Sequence, residues 1–357
     1  MSRSLLLLVF QEDVMSRKNL LITIALVSVL AFFSSTALAQ YKLTNLDSNQ
    51  VGGAKNDDPL QVNGWGMARS AGSPWWVSDQ GSGWSTLYDG MGTKQSLVVA
   101  VPPAAKQFVG QPTGIVWNGS NEFPVDGSPA VFIFDTLDGT ISAWSFGVNP
   151  KTAIVIADNS ANGASYTGLA ITNHASGNSL FAVDNANNRI DIYDGTFTWK
   201  GSFATDPNVP SGMAAFGIRD INGIVFVAWA PTNEGPGGYI NMYKEDGTLI
   251  GPFTQDKHLN QPWGFAVAPP NFGRLKNALL ISNNNDHGTI VAYDALGRFV
   301  GYLRDEHGHR IVIDQLWAID FGGGTANNGA TNALYFTAGP ANNLAGTFGV
   351  IVPAHSK

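Results

Sequence analysis

The chain has 357 residues, of which only 13% are charged, with 41 glycines, 18 prolines and no cysteine. That composition argues against a helical bundle, which would be richer in Glu, Lys and Ala, and an apolar content of 44% excludes a disordered chain. The net charge is −7, with no basic block beyond the N-terminal segment, so a nucleic acid partner is excluded and no disulfide can staple the fold.

In chain order, the first recognisable element is MSRKNLLITIALVSVLAFFSSTALA at residues 15–39. Arg17 and Lys18 form a positive start, Leu20 to Phe33 an apolar run, and Ala37-Leu38-Ala39 a small-x-small cleavage site before Gln40. Residues 1–39 are therefore expected to be a signal peptide, and residues 40–357 one domain. Ser16-Arg17 after Met15 echoes Ser2-Arg3 after Met1, which points to Met15 as the true start. The expected destination is the periplasm or the extracellular medium. No membrane contact is expected after cleavage.

From Tyr41 onward the sequence repeats itself. Each copy opens with an apolar strand built around an anchor residue: Trp65-Gly66-Met67, Thr113-Gly114-Ile115, Thr167-Gly168-Leu169, Ser211-Gly212-Met213, Trp263-Gly264-Phe265 and Trp317-Ala318-Ile319. A second short apolar strand follows, usually ending in Asp or Asn: Trp75 to Asp79, Val131 to Asp135, Leu180 to Asp184, Ile224 to Trp229, Leu279 to Asn283 and Leu334 to Thr337. A third alternates in polarity, as in Arg189 to Asp194 or Gly288 to Asp294. A fourth, outer strand is predicted in the first, second and fifth copies, at Leu97 to Val101, Ile154 to Ala157 and Phe299 to Leu303. Four strands in a repeat of about 50 residues describe a propeller blade. The sixth copy ends one strand short, while Tyr41 to Leu46 is a strand without a blade. That segment is expected to complete the last blade beside Thr347 to Ile351. The fold is thus predicted to be all-β: a six-bladed β-propeller, monomeric, closed by its N-terminal strand.

These repeats resemble NHL-type and gluconolactonase-like six-bladed propellers. More closely, Asn63-Gly64-Trp65-Gly66, Trp76-Val77-Ser78-Asp79, Gln111-Pro112-Thr113-Gly114, Asp138-Gly139-Thr140-Ile141 and Gln261-Pro262-Trp263-Gly264 resemble an uncharacterised family of exported bacterial propeller proteins. The resemblance runs from Tyr41 to about Val352 and implies the fold, with no established activity. Some members of that family end in a sorting anchor; here the chain stops at Lys357 without one, so a soluble form is expected.

In such a blade, the loop leading into the first strand and the loop between the second and third strands share a face, where binding sites commonly lie. The lead-in residues Asn63, Gln111, Gln261 and Gln315 are amides with no turn to cap, which makes them candidate ligand contacts. Trp65, Trp263 and Trp317 recur at one repeat position and fit either inter-blade packing or an aromatic wall. Asp79, Asp135, Asp184 and Asn283 end second strands and fit either turn chemistry or ligand binding. His287 is the candidate general base, and Asp314 the candidate acid or metal ligand. The resemblance to gluconolactonase-like enzymes implies a metal held by carboxylates and amides at the channel mouth. Asp314 is the one acidic lead-in residue, so a lactonase-type centre is not expected, although a Ca²⁺ held by carbonyls, amides and one or two Asp suits the set. His307 and His309 read as a solvated loop. The expected function is binding of a small neutral molecule, a glycan or a peptide at the channel mouth. The alternative is a hydrolase or lyase of the gluconolactonase-like or strictosidine-synthase-like type using the same face.

Overall fold

The computed structural model describes residues 41–105 and 108–354. The chain divides into Met1–Leu38 and Ala39–Lys357, and all described residues lie in the second unit. The expected signal peptide lies outside the described residues.

The strands occur in the order the repeats dictate. β1 (Tyr41–Ser48) and β2 (Asn56–Asp57) precede a first blade of β3 (Gly64–Ala68), β4 (Trp75–Asp79), β5 (Trp84–Tyr88) and β6 (Val99–Ala100). The second blade contains β7 (Pro112–Trp117), β10 (Phe132–Thr136), β11 (Thr140–Trp144) and β12 (Ile154–Asp158). A small hairpin of β8 (Pro124–Val125) and β9 (Ser128–Pro129) is inserted within it. The third is β13 (Tyr166–Ile171), β14 (Ser179–Asp184), β15 (Arg189–Asp194) and β16 (Trp199–Ser202), and the fourth β17 (Met213–Ile221), β18 (Ile224–Pro231), β19 (Tyr239–Lys244) and β20 (Leu249–Thr254). The fifth is β21 (Pro262–Val267), β22 (Leu279–Asn283), β23 (Ile290–Tyr293) and β24 (Phe299–Tyr302). The sixth runs β2-β1-β27-β26-β25, using β25 (Leu316–Phe321), β26 (Leu334–Ala338) and β27 (Thr347–Pro353).

The clasp is where the sequence places it, and longer. β1 lies antiparallel to β27 from Tyr41 opposite Pro353 to Ser48 opposite Thr347, with one bulge between Asn45 and Asp47. Tyr41 and Leu46 are fully buried, and the Tyr41 hydroxyl donates to Phe272 O at 2.9 Å, tying the strand to the fifth blade as well.

Two details differ from the sequence reading. Fourth strands also close the third and fourth blades, as β16 and β20. Their sequences, WKGS and LIGPFT, carry Gly and Pro that read as turns. An outermost strand tolerates both because its free edge faces solvent and bulges are accommodated there. The second difference is the anchor of the fourth blade. In every other blade the break in pairing between the first two strands falls at the anchor and the residue before it; in the fourth it falls between Ala215 and Gly217. Phe216-Gly217 is therefore the equivalent of Trp65-Gly66, and the anchors are 66, 114, 168, 217, 264 and 318. Gly212 sits one step earlier, at the lead-in position.

Six apolar clusters fill the six gaps between neighbouring blades, including the gap between the sixth and the first. The ring is closed by packing as well as by β1. Carboxylate or amide groups in the connections between blades also hold tyrosines of the third strands. The Tyr88 hydroxyl donates to Asp58 at 2.8 Å, Tyr293 donates to Asp256 at 2.8 Å, and Asn159 donates to Tyr193 at 2.9 Å.

Candidate functional site

The first strands surround the axis, and their anchors explain why glycine recurs there. A methyl group at Gly217 would drive into the Trp263 carbonyl of the next blade, and one at Gly66 into the Thr113 carbonyl. At Gly114 it would stand 2.5 Å from Leu169 N and at Gly264 2.8 Å from Trp317 O. Backbone meets backbone around the ring, leaving no room for Cβ at these positions. In four blades the residue before the anchor is aromatic, and these four rings meet one another. Trp65 stacks on Trp317 with ring centroids 3.7 Å apart, Phe216 lies 5.8 Å from Trp317, and Trp263 meets Trp317 edge-on at 5.9 Å. Four aromatic rings therefore plug the channel and divide it into two mouths.

On the face of the lead-in loops, the plug forms the floor of a cavity of about 870 Å³. Trp65, Phe216 and Trp317 lie at its base. Its walls are the second-to-third loops of four blades, contributing Asn185, residues 230–232 and Glu234, Asn284 to His287, and Asn342-Asn343, together with the lead-in residues Gln261 and Gln315. The backbone here is unusual. Gln261 (φ 54°) and Gln315 (φ 49°) are left-handed, as are Glu234, Ala341, Asn342 and Asn343. Asn63 (φ 49°) and Gly212 (φ 81°) share that conformation, so the lead-in position is left-handed in four blades. In each of these four its carbonyl accepts the N–H of the residue just past the second strand or at its end: Gln80, Thr232, Asn284 and Gly339. The position is thus part of a turn, which corrects the view that these amides have no turn to serve. Asn and Gly suit a left-handed turn; Gln does not.

Each residue singled out from sequence can now be placed. Gln261, Gln315, Trp65, Trp317 and His287 line the cavity. Trp263 helps plug the channel, and its indole donates to Thr167 O at 2.9 Å. Asn63 is buried: it accepts from the Trp317 indole at 2.9 Å and donates to Gln80 at 2.8 Å, which in turn donates to Gln111 at 3.0 Å. Asn63 and Gln111 therefore belong to an amide chain linking the sixth, first and second blades, beside the cavity rather than in its wall.

Asp79, Asp135, Asp184 and Asn283 are all fully buried and bonded within the protein. Asp79 accepts from the Thr86 N–H and hydroxyl, and Asp135 from the Thr113 hydroxyl and Gly114 N–H. Asp184 takes Asn187 and Arg189, and Asn283 bonds His258 O and Thr289. Burial raises Asp135 to about 7 and pushes Asp79 well up. These four hold turns and neighbouring blades; none lines the cavity. Asp314 lies in a different depression, between the sixth blade with its clasp strand and the connection entering that blade, where it accepts from Ala341 N. Among the described residues, no three carboxylate, imidazole or thiol side chains come together as a metal-holding group. The carboxylates present thus do not fit the lactonase-type metal centre that the resemblance implies.

The opposite mouth escaped sequence reading. Here the first strands end in a channel pocket of about 180 Å³ rimmed by Arg69, Arg219, Asp220 and Asp320. Arg219 pairs with Asp320 at 2.8 Å, and Arg69 donates twice to Phe321 O. His174 meets Glu245 at 2.7 Å, and burial, with Glu245 close by, raises Asp220 to about 6. Apart from the adjacent Arg219-Asp220, and Glu245 of the same blade, these charges come from different blades, far apart in sequence.

No family model matches the chain. It is 28% identical over 341 residues to the uncharacterised protein R648 of Acanthamoeba polyphaga mimivirus, covering 88% of this chain and 81% of that protein. A second mimivirus protein, R640, is 33% identical over 228 residues, which is 58% of this chain and 42% of its own length. Among solved structures, the chain superposes on a gluconolactonase from Xanthomonas campestris with a TM-score of 0.55 and 13% identity, covering 90% of this chain and 93% of that one. A Bacteroides thetaiotaomicron protein of unknown function gives a TM-score of 0.53 at 12% identity, covering 87% and 76%. At such identities the likeness is one of fold: this is a six-bladed propeller. Among the described residues, no helix is long and apolar enough to cross a membrane.

Proposed function

We propose that the protein is an exported, monomeric propeller that binds a small polar molecule, a glycan or a peptide in the cavity above the aromatic plug. The observation that carries this reading is the left-handed backbone of Gln261 and Gln315. The same position is Gly212 in the fourth blade, so the turn itself is satisfied by glycine. A left-handed non-glycine residue costs roughly 1–2 kcal/mol. Strain of this kind gathers at functional sites, and both side chains line the cavity of about 870 Å³ on that face.

The test begins with a thermal-shift screen for a ligand. Gln315→Gly should raise the melting temperature, and Gln261→Gly and Gln315→Gly should each weaken binding of any hit. A gain in stability without any change in binding would leave the strain unexplained by function and refute the reading. Export is tested separately: mature protein should begin at Gln40, and an intact N-terminal segment would overturn that part. A second reading, a hydrolase or lyase at the same mouth, is favoured by one observation, the imidazole of His287 in the cavity wall. His287→Ala would then abolish turnover while sparing binding.

A further inference from the structure

The amide groups in the cavity have a direction. A backbone carbonyl can only accept, so whatever faces it must be the amide nitrogen. Asn185 donates to Ala215 O at 2.7 Å, Asn284 to Leu316 O at 3.2 Å, and Gln261 to both Pro231 O and Gly235 O at 3.2 and 2.9 Å. Gln315 donates to the Asp286 carboxylate at 2.9 Å. Each of these four nitrogens donates to the protein, and the opposite ends, four amide oxygens, take no partner among the described residues. None of the four is sealed in; a fifth oxygen, that of Asn343, is buried without a partner. The Trp317 indole, which could have donated, is spent on Asn63, which leaves the buried Trp65 indole N–H as a donor without a partner at the floor. Glu234 and Asp286 add carboxylates, and no Lys or Arg lines the cavity.

The cavity is therefore rich in acceptors and carboxylates over an aromatic floor. We infer that its ligand carries one or more ammonium groups: an amine-bearing polar molecule of the size of a short amino-sugar oligomer. This deepens the binding reading above and rests on it. An ammonium offers three donors and no acceptor, matching oxygens from several directions at once. Its charge complements Glu234 and Asp286 and is attracted by the faces of Trp65 and Trp317. A neutral hydroxyl would also find acceptors, but without either charge term. An anion would meet carboxylates with few donors to offset them.

Three matched trimers decide it by calorimetry near neutral pH: glucosamine, N-acetylglucosamine and galacturonic acid. The glucosamine trimer should bind at least about tenfold more tightly than its acetylated counterpart, and binding should weaken with salt. Glu234→Gln combined with Asp286→Asn should lower its affinity about tenfold without moving the melting temperature, because both side chains are exposed. Equal affinity for the acetylated trimer, or preference for the galacturonate, would overturn the amine assignment and leave a ligand at this mouth. Binding that survives the charge variant and also Gln261→Gly with Gln315→Gly would overturn both. Failure of all three trimers to bind at millimolar concentration would overturn the amine assignment.

Discussion

Replacing Gly217 by Ala tests the claim that backbone contact closes the ring. Gly217 has an ordinary negative-φ backbone, so by chain entropy alone the substitution would stabilise by about 0.4–1 kcal/mol. Packing has the opposite sign. The new methyl would press into the Trp263 carbonyl oxygen, with Trp263 C at 2.8 Å and Cα at 2.9 Å, and the three nearest atoms are all backbone. A side chain could rotate away; a strand in the next blade cannot without disturbing its own ladder. Overpacking of this kind costs roughly 1–3 kcal/mol, and the rigidity of the neighbour places Gly217 at the upper end. Gly168 is the internal control. It holds the same place in its blade, but its methyl would stand 3.3 Å from Phe216 O, a contact that a small shift relieves. In urea unfolding, Gly217→Ala should lose about 2–3 kcal/mol and Gly168→Ala should change by less than about 1 kcal/mol. If the two variants are equally stable, or Gly217→Ala is more stable than wild type, the glycines are not there for close approach and the argument fails.

The other predictions concern the clasp and pH. Deleting residues 41–46 should sharply lower the melting temperature, because two sheet edges open and the buried Tyr41 and Leu46 are lost; an unchanged temperature would mean that packing between blades suffices. Asp47 in β1 is raised to about 7, first by burial and then by the Asp58 charge, and Asp135 is raised to about 7 by burial. Both bind their protons more tightly folded than unfolded, so stability should fall as pH rises from about 4 to about 7. Glu122, Asp158, Asp194 and Asp294 are held low, mainly by N–H and hydroxyl donors in turns, and their contribution is lost as pH falls below the ordinary carboxylate range. Denaturation midpoints should therefore peak near pH 4 to 5 and decline by pH 8, and Asp47→Asn should flatten the upper limb. A midpoint that rises steadily to pH 8 in wild type would contradict this.

The repeat made the fold readable. Anchors, second strands and third strands alternate with turns, and the strand missing from the sixth copy pointed to Tyr41. Reading failed where one residue type serves two purposes. Gly212 looks like an anchor because a left-handed turn and a close approach both call for glycine; only strand pairing shows that Gly217 is the anchor. The site was half legible. Gln261 and Gln315 stood out as recurrent amides, but sequence carries no side-chain direction, so Asp79 and Asp135, which point inward to Thr86 and Thr113, looked no different from residues facing solvent. The orientation of the amides, on which the ligand's chemistry turns, depends on carbonyls such as Leu316 O, 32 positions from the Asn284 that reaches it.

β1 also sets the order of events in time. Its partner β27 is the last strand described, some 300 residues downstream, so β1 emerges first during synthesis and waits for nearly the whole chain before it can pair. Five blades can form from local hairpins while the sixth cannot exist, and the loop that β1 and β27 close spans nearly all of the described residues. Closure is thus a late step that depends on the other five blades already standing in register. Once made, it binds the two ends of the described chain to each other, so that unravelling from either end must first break the seam they share.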